Sequence, residues 1–92
     1  MDNKQMLTWI AALLTTAEEC AVRNEPMPLG PAYMALMTLG CTLDDLYVIT
    51  GLCSKLGWAE VTSETMMLTQ AGREKAQQIN AKLTKTKEKV TA

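Results

Sequence analysis

Between Met6 and Ala21 the apolar residues recur with the period of a helix. Leu7, Ile10, Ala11, Leu14, Ala17 and Ala21 form one stripe, the spacing by which a helix turns one face toward a core. A second stripe, Met6, Trp9, Leu13, Thr16 and Cys20, lies beside it. One core contact occupies only about 100° of helix circumference, so two adjacent stripes predict a helix covered on two sides. The second cover is either the last helix of the same chain or another copy packed through Met6, Trp9 and Leu13, because a wide apolar surface left open on a small domain invites aggregation. This helix should end near Arg23-Asn24, ahead of Glu25-Pro26-Met27-Pro28, where proline geometry excludes helix and favours an extended crossing.

Pro31 suits the first position of a short second helix, Pro31 to Leu39, with Tyr33, Leu36 and Met37 inward and Gly40 as its stop. Thr42 then caps a third helix, with Asp44 and Asp45 in the first turn, where the helix dipole favours negative charge. Leu46, Ile49, Cys53 and Leu56 give that helix its core face. Gly57 supplies a left-handed exit and Trp58 covers it. Val61 and Leu68 would face inward from the two strands of a hairpin with its tip at Thr62 to Thr65. Thr69 caps a final helix whose stripe is Gly72, Ala76, Ile79 and Leu83, with Gly72 allowing close approach to the sheet. Beyond Leu83 the polar repeat has no apolar face and predicts fraying. The pattern is mainly α with a small β-hairpin: one domain over 1–83 and a basic tail over 84–92.

The order from Thr42 to Gly57, through Trp58-Ala59-Glu60-Val61 and Met66-Met67-Leu68, to Thr69-Gln70-Ala71-Gly72-Arg73-Glu74-Lys75-Ala76 resembles the winged-helix superfamily, above all its MarR-like and PadR-like domains. The resemblance implies three helices, a two-stranded wing and a C-terminal helix. It also implies that the outward face of the third helix is the reading head for a DNA major groove, with the wing on phosphate or the minor groove.

The residues themselves argue against that use. The outward face draws on Asp44, Asp45, Val48, Gly51, Leu52 and Lys55, and the wing tip carries Glu64. Base reading favours Arg, Lys, Asn or Gln, and phosphate neutralisation needs several cations. Only Lys55 answers. The surface formed by Asp44, Asp45, Val48, Leu52, Lys55 and Glu64 is therefore expected to bind a protein partner. The alternative is a dimeric DNA-binding transcriptional regulator that uses basic residues of the last helix and tail, Arg73, Lys82, Lys85, Lys87 and Lys89.

Charge sharpens this division. Residues 1–69 hold three cations and eight carboxylates, a balance of −5, whereas residues 70–92 hold six and two, a balance of +4. The 92 residues suffice for one domain that buries roughly 60–65% of its unfolded surface. No apolar run reaches the about 18 residues of a membrane span. Met6 to Leu14 has a neutral leader, with Asp2 against Lys4, so a cytoplasmic location is expected. Cys20, Cys41 and Cys53 form no CxxC pair and read as free thiols.

Chemistry has few candidates here. There is no His, only Ser54 and Ser63 as serines, and no glycine-rich phosphate loop. Asp44 and Asp45 are consecutive and point about 100° apart on a helix, so they cannot converge on one atom. Glu18-Glu19-Cys20 lacks metal-ligand spacing. A non-enzymatic chain without cofactor or metal is expected. Seven Met and no Phe leave flexible thioethers around Met27, Met34 and Met37, and either Met66 or Met67 must face outward from its strand.

Overall fold

The computed structural model describes residues 3–91, with side chains described over 3–82. Four helices, α1 (Asn3–Val22), α2 (Leu29–Met37), α3 (Leu43–Lys55) and α4 (Gln70–Thr91), surround a three-stranded antiparallel sheet of β1 (Met27–Pro28), β2 (Ala59–Val61) and β3 (Thr65–Leu68) in the order β1-β3-β2. The expected hairpin is present, and the proline-bound crossing adds a strand to it. Met27 pairs with Met66 and Pro28 with Thr65, and an edge is where a residue without an N–H can join a sheet.

Three helices end in the same way. After α1 the amide of Glu25 donates to Cys20 O at 3.0 Å and that of Asn24 to Ala21 O at 2.9 Å. After α2, Cys41 donates to Leu36 O and Gly40 to Met37 O; after α3, Trp58 donates to Cys53 O and Gly57 to Ser54 O. The pivots Asn24, Gly40 and Gly57 have φ of 57°, 84° and 77°, the left-handed residue that a Schellman C-terminus requires. Each pair of bonds satisfies carbonyls the helix leaves open and turns the chain sharply.

α1 is the central element. Ile10, Leu14 and Ala17 are buried as the pattern predicts, but so are Trp9 and Leu13, at 2% and 1% exposure. Leu7, assigned to the core stripe, is instead exposed. α4 packs along α1 as the intramolecular alternative expected, and the side carrying Trp9 and Leu13 is covered by α2, whose following turn receives the indole: Trp9 Nε1 donates to Leu39 O at 3.0 Å. Trp9 and Leu13 therefore cannot serve as a contact between copies, and Met6 alone of the three keeps partial exposure.

α2 starts two residues earlier than proline placement suggested, with Pro31 in its first turn, where missing amides cost no helical bond. Its buried residues are Leu29, Ala32 and Leu36, while Tyr33 is half-buried and Met37, expected inward, is exposed. In α3, Leu46, Ile49 and Cys53 enter the core, but Leu56 caps the helix and is exposed. On the sheet, Ala59 opposes Leu68 and Val61 opposes Met66 on the inner face, so Glu60 and Met67 share the outer one. Met66 is fully buried and Met67 half-buried.

α4 begins under Thr69, whose Oγ1 accepts from the Gly72 amide at 3.2 Å. A Cβ built on Gly72 would overlap the Trp58 carbonyl oxygen, which already accepts the Thr69 amide at 3.0 Å. This is the close approach expected of Gly72, made at the exit from α3. Leu83 and the tail over 84–92, with its expected fraying, lie outside the residues whose side chains are described. No helix among the described residues is long and apolar enough to cross a membrane.

Candidate interaction surface

The outward side of α3 is fixed by how its inward side is filled. With Leu46, Ile49, Thr50 and Cys53 buried, the helical period places Asp44, Val48, Gly51 and Lys55 on the opposite side and Leu43 and Tyr47 on its flank. Thr42 and Asp45 form a reciprocal cap. The Asp45 amide donates to Thr42 Oγ1 at 3.2 Å, and the Thr42 amide donates to Asp45 Oδ2 at 3.1 Å. Asp45 is thus engaged in starting the helix, whereas Asp44 is exposed and unburdened by that role. Val48 is 52% exposed, Lys55 is exposed, and Leu52 is half-buried against the core.

The hairpin tip is tied to α2. The Leu29 amide donates to Glu64 O at 2.8 Å, and the Thr62 amide to Thr65 O at 2.8 Å. Thr62 Oγ1 also accepts from the amides of Glu64 and Thr65. These bonds hold the exposed Glu64 beside the start of α2. A cavity of about 190 Å³ opens between Leu29, Gly30 and Tyr33 of α2, Leu43, Leu46, Tyr47 and Thr50 of α3, and Val61, Thr62 and Ser63 of the hairpin.

Tyr47 is the residue that sequence reading missed. It is 64% exposed at the mouth of this cavity. The signal was available: Leu43, Tyr47 and Val48 are three apolar residues outside the core stripe of one 13-residue helix. Of the large apolar side chains exposed among the described residues, Met34, Met37, Leu39, Leu43, Tyr47, Val48 and Leu56 fall between positions 34 and 56, against Leu7 and Val22 elsewhere. Leu43 and Tyr47 border the cavity beside the hairpin tip, whereas Leu39 and Leu56 line other grooves.

The basic candidates fare differently. Arg73 is held by α1: its Nε donates to Glu18 Oε2 at 3.1 Å and its Nη2 to Oε1 at 3.3 Å, and Gln77 Nε2 donates to Oε1 at 3.2 Å. Glu18 is only 7% exposed, and the Arg73 guanidinium holds its carboxyl below the ordinary carboxylate value against the opposing cost of burial. Arg73 is thus tied to α1, with its side chain still 36% exposed. The clue lay in the first helix, where a carboxylate sits between Leu14, Ala17 and Ala21 of the core stripe. Lys82 is exposed, and Lys85, Lys87 and Lys89 lie outside the described side chains.

Two further grooves are apolar. One of about 420 Å³ runs between α1 and α2 beneath Pro26 and Pro28. The other, about 400 Å³, is lined by Met6, Leu7, Leu56, Trp58 and Ile79, with Lys75 Nζ 5.6 Å from the Trp58 ring centre. All three cysteines are free, Cys41 and Cys53 buried. Burial pushes the Cys53 thiol up to about 11 and raises that of Cys41 as well, the opposite of what a thiolate nucleophile needs. Among the described residues no three His, Cys, Asp or Glu side chains are grouped to hold a metal. No family model, curated protein or solved structure matches the chain.

Proposed function

We propose that this chain is a non-enzymatic winged-helix-type module, with α2 and α3 as its helix-turn-helix and β2–β3 as its wing, which acts through protein–protein contact on the outward face of α3 and the hairpin tip. The observation that carries this reading is the charge of that unit. Residues 29–69 contain one cation, Lys55, against Asp44, Asp45, Glu60 and Glu64, and most of the exposed apolar side chains lie in the same stretch. DNA affinity comes mainly from phosphates neutralised by several cations. An acidic, apolar face repels phosphate and offers a protein partner area to bury.

The second reading, a dimeric DNA-binding regulator, is favoured by the +4 balance of residues 70–92. The ion pair of Arg73 with Glu18 weighs against that reading, since a phosphate would compete with an internal carboxylate for the same guanidinium.

A gel shift with generic duplex across a salt series tests the choice. The proposal expects no discrete complex at about 150 mM salt, and expects weak low-salt binding to disappear on truncation after Leu83. A discrete, sequence-dependent complex formed by the truncated chain makes the regulator reading the better one.

A further inference from the structure

The cleft between α2, α3 and the hairpin tip is walled mainly by Leu29, Tyr33, Leu43, Leu46, Tyr47 and Val61. At about 190 Å³ it falls below the roughly 300 Å³ at which small-ligand pockets begin, so its size suits one anchoring side chain of a larger partner. Its walls are set before anything binds. The Leu29 amide to Glu64 O bond fastens the tip, and the Thr42–Asp45 cap fixes the first turn of α3, so little ordering cost remains for association.

Tyr47 presents a largely open ring at the mouth, with Leu43 one turn before it. Asp44 follows Leu43 of the cleft lining at the start of α3, and Glu64 follows Ser63. Among the described residues no cation lines the cleft. Lys55, the one cation of the unit, is eight residues beyond Tyr47, about 12 Å along the helix axis. Anionic partners are repelled at this position and cationic ones attracted.

We propose that this cleft receives a cationic amphipathic peptide segment of a protein partner, one apolar side chain seated against Tyr47 and flanking Lys or Arg side chains reaching Asp44 and Glu64. The assignment rests on the reading of the α3 face as a protein-contact surface. It differs from general attraction to an acidic protein because Glu60, on the outer face of the sheet beside Met67, takes no part.

Fluorescence anisotropy with a labelled peptide of about 18 residues, Leu at helical spacing and Lys elsewhere, provides the test, with a Leu/Glu peptide of identical Leu spacing as control. The full chain is expected to bind the Lys peptide, more weakly as salt rises, and to ignore the Glu peptide. Tyr47→Ser and the double change Asp44→Lys/Glu64→Lys should each weaken binding about tenfold or more, while Glu60→Lys stays within about twofold. Thermal unfolding of each variant confirms that the fold persists. Loss with Glu60→Lys equal to that with Asp44→Lys/Glu64→Lys overturns the assignment, as does equal binding of both peptides or of neither. Those failures leave the duplex result untouched, so they are distinguishable from failure of the protein-contact reading itself.

Discussion

Glu18 shows how much one residue's setting can matter. Set among the core-stripe residues Leu14, Ala17 and Ala21, it lies at 7% exposure with its carboxylate bound by Arg73 and Gln77. Since Arg73 keeps its folded pKa below the ordinary 4.5, the unfolded chain binds the proton more readily than the folded one. The stabilisation is therefore complete above that value and lost as pH falls through the folded pKa. Glu18→Gln should be less stable than the wild type at neutral pH, with the difference in unfolding midpoint shrinking as pH drops below 4.5. A difference that stays constant across an acid titration would contradict the ion pair. Cys53 makes a similar point in apolar form, since its depth and raised pKa leave it a small hydrophobe of the core.

At the scale of elements, the punctuation of the chain was legible because local chemistry dictates it. Asn24, Gly40 and Gly57 end their helices, and Thr42 and Thr69 start theirs, through bonds made within a few residues. Which faces are covered was less legible, since that depends on distant partners. The stripe containing Trp9 and Leu13 shows two-sided burial, but periodicity does not say that α2 supplies the lid or that Leu7 remains outside. β1 was hidden for the same reason: two residues become a strand only because β3 passes beside them. The acidic outward face of α3 could be read directly, whereas Tyr47 lies on its flank, where periodicity alone does not separate core from surface. Two glycines give contrasting expectations. Gly72→Ala drives a methyl into the Trp58 carbonyl and should cost about 1–3 kcal/mol. Gly51→Ala meets nothing within 4 Å in the middle of α3 and should stabilise by about 0.5–1 kcal/mol. Chemical denaturation of the two variants checks both, and equal effects would mean that α4 does not press on the α3 exit as described.

For the whole molecule, α1 organises everything else: the sheet, α2, α3 and α4 all pack on it. Trp9 belongs to that packing and not to a surface between copies, so Trp9→Glu should yield an unfolded or aggregated chain by circular dichroism and sedimentation. A folded monomer from that variant would show the indole to be dispensable to the core. A contact between copies would have to use another surface, and the groove bordered by Leu7 and Leu56 is available for it. The molecule is divided electrically as well, with an acidic body through residue 69 and a basic last segment. Nucleic acid and protein partners would accordingly be drawn to different ends. Amide chemical shifts of the isotopically labelled chain, followed as generic duplex DNA is added at about physiological salt, test this most directly. The account predicts that amides of Asp44, Val48, Gly51 and Lys55 stay where they are and that any shifts gather in residues 80–92. Saturable shifts centred on α3 and the hairpin tip would contradict it and identify that face as a DNA-reading surface.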